Sequence, residues 1–113
     1  LWEYHAGRWA DLNGRIHCRP MLSIAHALAL VATGRVQAAL TIEPQNEWDI
    51  AAGVLLIQES GGTITDPEGR PFTFNQATPR FHGLIAVSAT AGTELRPFLQ
   101  THADLARLKK KRP

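Results

Sequence analysis

The chain has 113 residues, 44% of them apolar and 19% charged, with a formal net charge of +2. That length is enough for one compact domain burying roughly two-thirds of its unfolded surface, and the composition excludes a wholly disordered chain. The lone Cys18 cannot form an internal disulfide, no apolar run reaches the roughly 18 residues of a membrane span, and the first residues lack the pattern of a signal peptide. The expected setting is therefore the cytoplasm, with no membrane partner.

The segment to Asn13 mixes Trp2, Tyr4 and Trp9 with charged residues and shows no period. It reads as a short helix or loop continuing from something upstream. Residues 16–19 suit a short strand stopped by Pro20, which fixes its own φ and has no N–H to donate. Ser23 then fits an N-cap, because its hydroxyl can accept from a free N–H of the first turn. A helix follows, with Ile24, Leu28 and Val31 at three-to-four spacing among alanines and Gly34 as its stop.

Residues 36–42 read as a strand, and Pro44-Gln45-Asn46 breaks it. A second helix is expected from Trp48 or Asp49 to Ser60, ended by Gly61-Gly62. Thr63-Ile64-Thr65 alternates like a strand, Asp66-Pro67-Glu68-Gly69 signals a turn, and Pro71-Phe72-Thr73-Phe74 suits a returning hairpin arm or an irregular edge. Leu84-Ile85-Ala86-Val87 is a continuous apolar run, the pattern of a strand buried on both faces. A last helix over 90–108 presents Leu95, Phe98, Leu99, Leu105 and Leu108, with Pro97 a kink if the helix begins early. Helices and strands alternate, so the expected class is α/β, in one unit without internal repeats or a linker.

Few residues carry obvious chemistry. The five histidines show no metal-ligand spacing, and no P-loop, G-x-G-x-x-G or G-x-S-x-G motif occurs. The basic tail Lys109-Lys110-Lys111-Arg112 has no accompanying aromatic or Gly-rich motif, so it reads as a solvated end and not as a nucleic-acid site. Asp49 is different. Alone it would read as a cap at a helix start, yet Asn46-Glu47-Trp48-Asp49 follows a strand and loop, where α/β sheets build their sites. Magnesium takes hard oxygen ligands, one or two carboxylates plus water and phosphate, and Asp49 is chemically suited to be one.

The string Trp48-Asp49-Ile50-Ala51-Ala52-Gly53, with Glu59-Ser60-Gly61-Gly62 behind it, resembles a signature of the inositol monophosphatase family, W-D-x-A-[AG]-[AG] followed by E-x-G-G. Leu30-Val31-Ala32-Thr33-Gly34 resembles the family's helix ending in V-A-x-G, and the resemblance keeps its order over residues 19–89. It implies the layered sheet-and-helix fold of the sugar phosphatases. It also implies a Mg2+-dependent phosphomonoesterase, in which water attacks phosphorus while metal ions stabilise the departing oxygen. The implied substrate is inositol monophosphate or a 3′(2′),5′-bisphosphate nucleotide, and the implied assembly is a homodimer.

Carried residue by residue, the resemblance makes Asp49 a catalytic metal ligand and gives Trp48 the task of packing under the loop and orienting it. Ala51, Ala52 and Gly53 would let backbone and metal approach closely. Ser23 stands at the family's G-[ST]-A position, with Leu22 in place of Gly and Ile24 in place of Ala, so it is either a substrate contact or only an N-cap. Neither Glu43 nor Glu47 stands at the spacing of the family's inositol-contacting Glu. The upstream Glu and the D-P-[LIV]-D-[GS]-T signature that supply the other metal ligands do not occur in these residues. The chain thus reads as the C-terminal part of such an enzyme, inactive by itself. The alternative is a truncated binding or assembly module derived from the family.

Overall fold

The computed structural model describes residues 23–75, 80–91 and 94–111. The expectations for residues 1–22, including the strand at 16–19, Leu22 and Cys18, lie outside the described residues, as do those for the side chains of Leu105, Leu108 and the basic tail.

Helix α1 spans Ile24–Ala32 and α2 spans Glu47–Glu59. The Ser23 hydroxyl accepts from the His26 N–H at 3.2 Å, the expected cap. Both helices end in the same way. Gly34 and Gly61 take positive φ, and the N–H groups at 34, 35, 61 and 62 turn back to the carbonyls of Val31, Leu30, Gln58 and Ile57. Four carbonyls of the two last turns are satisfied without a side chain.

Three short strands form one sheet: β1 (Ala38–Thr41), β3 (Thr63–Thr65) and β5 (Leu84–Val87), in the order β1-β5-β3. Both pairings are antiparallel. Two-residue strands β2 (Gln45–Asn46) and β4 (Arg80–Phe81) form a separate antiparallel pair. The expected class, a layered arrangement of helices and sheet, is the observed one.

Strand β5 sits between two apolar layers. Leu84 and Ala86 join Leu28, Val31, Ile50, Val54, Ile57 and Ile64 in a cluster on the side of α1 and α2. Ile85 and Val87 join Leu40, Leu99 and Ala103 on the side of helix α3 (Leu95–Lys111). All four β5 residues are buried, as a strand covered on both faces must be. Burying a Leu, Ile or Val side chain of this kind contributes about 1.5–3 kcal/mol.

The structure departs from the sequence expectations, or decides between them, at three places. Helix α3 begins at Leu95, so Pro97 falls in its first turn, where the missing N–H breaks no hydrogen bond. Of the two forms expected for residues 71–74, the irregular one is observed, since they join no strand. Phe72 and Phe74 instead set their rings edge-on to Phe81, at 4.7 and 6.0 Å between centroids. The third departure is the β2–β4 bridge itself, which turns the supposed break at Gln45-Asn46 into paired backbone and brings Phe81 beside Gln45.

The turn after β3 is fixed by one carboxylate. Asp66 Oδ1 accepts from the N–H groups of Glu68 and Arg70, at 2.9 and 2.8 Å, and Oδ2 accepts from Arg70 Nε at 2.9 Å. Helix α3 docks on the same turn through Arg96, which donates to the Thr65 hydroxyl, and Gln100, which donates to the Pro67 carbonyl.

Candidate functional site

Asp49 and its immediate neighbours stand at the start of α2, whereas Ser23 stands at the start of α1. Strand β2 leads directly into the helix, with Asn46 in the N-cap position in extended backbone and Glu47, Trp48 and Asp49 forming the first turn. Asn46 is a preferred N-cap type, but its side chain makes no capping bond. Its amide Nδ2 instead donates to Asp49 Oδ2 at 3.3 Å.

Asp49 is exposed, at the third position of the helix, and Asn46 is its one side-chain partner among the described residues. Its carboxylate therefore stands in solvent at the positive end of the helix dipole, with Oδ1 uncommitted. The cap reading is excluded in its simple form, since an N-cap residue precedes the helix and Asp49 lies within it. As a hard oxygen donor held by a neutral amide, the group fits one position in a magnesium shell. No grouping of three or more His, Cys, Asp or Glu that could hold a metal ion occurs among the described residues.

Glu47 behaves differently from Asp49. Its Oε1 accepts the N–H of Asn75 at 2.6 Å, and its Oε2 is buried without a hydrogen-bond partner among the described residues. Asn75 has φ of 63°, a left-handed conformation that Asn tolerates better than most residues. The sequence gives little sign of this bond, which joins residues far apart in the chain. The one available signal is a second acidic residue in the first turn of a helix whose N-cap is already supplied by Asn46.

The neighbours of Asp49 differ in setting. Trp48 is 70% exposed. It lies with Leu55 and Leu56, also exposed, on the outer side of α2. The small residue at 53 serves another surface: a Cβ there would come 2.5 Å from Leu28 Cδ1 and 2.8 Å from Leu28 Cβ. Gly53 is buried because α1 and α2 touch at that point, and it makes room for a neighbouring helix. Ala51 and Ala52 are exposed. Ser23 is also exposed and caps α1, while Ile24 turns toward the α1/α2 core cluster.

The family model described as the inositol monophosphatase family matches residues 5–99, so the chain belongs to that family. It is 36% identical over 87 residues to the fructose-1,6-bisphosphatase/inositol-1-monophosphatase of Thermococcus kodakarensis, covering 75% of this chain and 34% of that protein. It is 52% identical over 52 residues to the inositol-1-monophosphatase of Bacillus subtilis, covering 46% of this chain and 19% of the relative. Among solved structures, the crystal structure of 2'AMP-bound SaIMPase-II superposes with a TM-score of 0.62 at 26% identity, covering 84% of this chain and 36% of that one. The chain thus spans about a third or less of the relatives it matches. No helix among the described residues is long and apolar enough to cross a membrane.

Proposed function

We propose that this chain supplies the C-terminal part of a cytoplasmic Mg2+-dependent phosphomonoesterase acting on inositol monophosphate or a 3′(2′),5′-bisphosphate nucleotide. The observation that carries the reading is Asp49, a solvent-facing carboxylate with one free oxygen, set at a helix N-terminus inside the family's W-D signature. The relatives named inositol-1-monophosphatase favour inositol monophosphate, one of them being named a fructose-1,6-bisphosphatase as well, and the 2'AMP bound to SaIMPase-II favours a nucleotide carrying a 2′-phosphate.

In this reading Asp49 contributes one metal ligand, Asn46 holds its second oxygen, and the first turn of α2 lends positive potential to an anionic substrate. Bound magnesium would supply Lewis-acid polarisation of phosphate oxygens and of the attacking water. Ser23, at the N-terminus of α1, is the proposed substrate contact, with its hydroxyl already committed to His26 as an acceptor and still able to donate. Further carboxylates from outside the described residues complete the metal shell.

The test is magnesium-dependent phosphate release by the full-length protein that carries this chain, from inositol monophosphate and from adenosine 3′,5′-bisphosphate. Asp49→Asn should lower release about a hundredfold or more, the scale expected when a ligand that positions reacting groups is lost. Unchanged release would remove the assignment. One observation favours the alternative of a non-catalytic assembly unit, namely the exposed apolar side of α2 at Trp48, Leu55 and Leu56. That reading predicts no release from either substrate.

A further inference from the structure

Glu47 ties together segments that the sequence separates. Its Oε1 receives the Asn75 N–H at 2.6 Å. From Asn75 the chain runs back through Phe74 and Phe72, both edge-on to Phe81. Phe81 pairs with Gln45 in the β2–β4 bridge, and Gln45 leads through Asn46 to Glu47 again. The first turn of α2 is thereby closed into a ring of one hydrogen bond, two ring contacts and a strand bridge. Asn46, a member of that ring, holds Asp49 Oδ2.

We infer that Glu47 is a positioning residue for Asp49, fixing the first turn of α2 against residues 71–75 and so fixing the direction of the Asp49 carboxylate. The inference rests on the reading of Asp49 as a metal ligand. Three features support it. The N-cap side chain is turned toward Asp49 and does not cap, so the turn takes its anchorage from elsewhere. The acceptor for the Asn75 N–H is the Glu47 side chain, so one bond joins the first turn of α2 to a segment 28 residues away. Asn75, the one non-glycine residue of positive φ among the described residues, is turned so that its N–H meets the carboxylate. Groups that orient a metal ligand commonly govern affinity without touching the metal.

The experiment uses the full-length protein that carries this chain, with Mn2+ as the probe, read by paramagnetic broadening of the backbone amides of 46–50 in NMR spectra. The Mn2+ concentration that broadens them should rise roughly tenfold or more in Asp49→Asn, and an unchanged titration would overturn the ligand reading and this inference with it. If Asp49→Asn weakens binding, Glu47→Ala should weaken the apparent Mn2+ affinity roughly tenfold, while Glu47→Gln, which keeps an acceptor for Asn75, should stay within about twofold of wild type. Equal affinity of Glu47→Ala and wild type overturns the positioning role and leaves the Asp49 reading intact. Equal losses in Gln and Ala also overturn it, because charge and not the hydrogen bond would then be at work. Hydrogen exchange gives a measure independent of any variant's folding. The Asn75 amide of the wild type should exchange slowly, and exchange at the rate of an unprotected amide would overturn the proposal.

Discussion

Gly53 of α2 lies directly against Leu28 of α1, where an added methyl would meet Leu28 Cδ1 at 2.5 Å and Cβ at 2.8 Å. The Cδ1 end could swing away, but the Cβ is fixed to the backbone of a packed helix. Gly53→Ala should therefore destabilise the chain by about 1–3 kcal/mol, the range of overpacked cores, despite the better helix propensity of alanine. Leu28→Ala should cost about 2–5 kcal/mol through its cavity. The double variant should be less destabilised than the sum of the two, because each change relieves the other. Chemical denaturation of the three variants gives the coupling, and strict additivity would show that the two residues do not meet.

Asp66 and Arg70 form an ion pair whose partners differ in worth. Arg70 is exposed and its partners are Asp66 and Glu68, whereas Asp66 also satisfies two backbone N–H groups of the turn. Asp66→Ala should cost about 1–2 kcal/mol in the same denaturation assay. Arg70→Ala should cost clearly less, as exposed ion pairs generally do. Equal losses would mean that the ion pair, and not the turn, is what Asp66 stabilises.

The pH response of that turn follows from the cation. The hydrogen bond from Arg70 to Asp66, then the charges of Asp66 and Glu68, hold the guanidinium pKa above its ordinary value. A raised pKa contributes stability below the unfolded value and loses it only as pH climbs through the folded one, which for an arginine is strongly alkaline. The difference in melting temperature between wild type and Arg70→Ala should thus stay constant from about pH 7 to about pH 10. A difference that shrinks over this range would point to another titrating group.

Asp49 is exposed, so its removal should leave the fold nearly intact. Asp49→Asn gives up a favourable charge at the helix N-terminus, worth about 0.3–1 kcal/mol. The thermal midpoint should move little at low salt and less at high salt, since the dipole interaction is screened. A large salt-independent drop would mean that Asp49 supports the structure and not a ligand.

The helices were legible where local chemistry decides them. Ser23 caps α1, Gly34 and Gly61 end α1 and α2, and the unbroken apolar run at 84–87 announces a strand covered on both sides. These depend on a side chain's own hydrogen bonds, backbone freedom or periodicity. The β2–β4 bridge has no such mark, because two residues are too short to show a period. The Phe72 and Phe74 rings look like a strand face by alternation, yet their packing on Phe81 depends on residues that the turn brings near. The packing of Gly53 was not legible for a related reason. A small residue beside a metal motif and a small residue beside another helix look the same in sequence, and only the position of Leu28 distinguishes them.

Ala86 stands opposite Ala39 on one side and Ile64 on the other. Strands β1 and β3 never touch each other in the sheet, and each is joined only to β5. A polypeptide emerging from the ribosome has therefore made both outer strands long before it makes the one that unites them. Until Leu84 to Val87 appear, Leu40 and Ile64 have no sheet to join, and the closing of these long loops must set the pace of folding. Release of a nascent chain at Gly83 should yield a protease-sensitive product, and release past α3 a resistant one. The residues from Leu84 onward, by this account, govern whether β1 and β3 join a sheet at all.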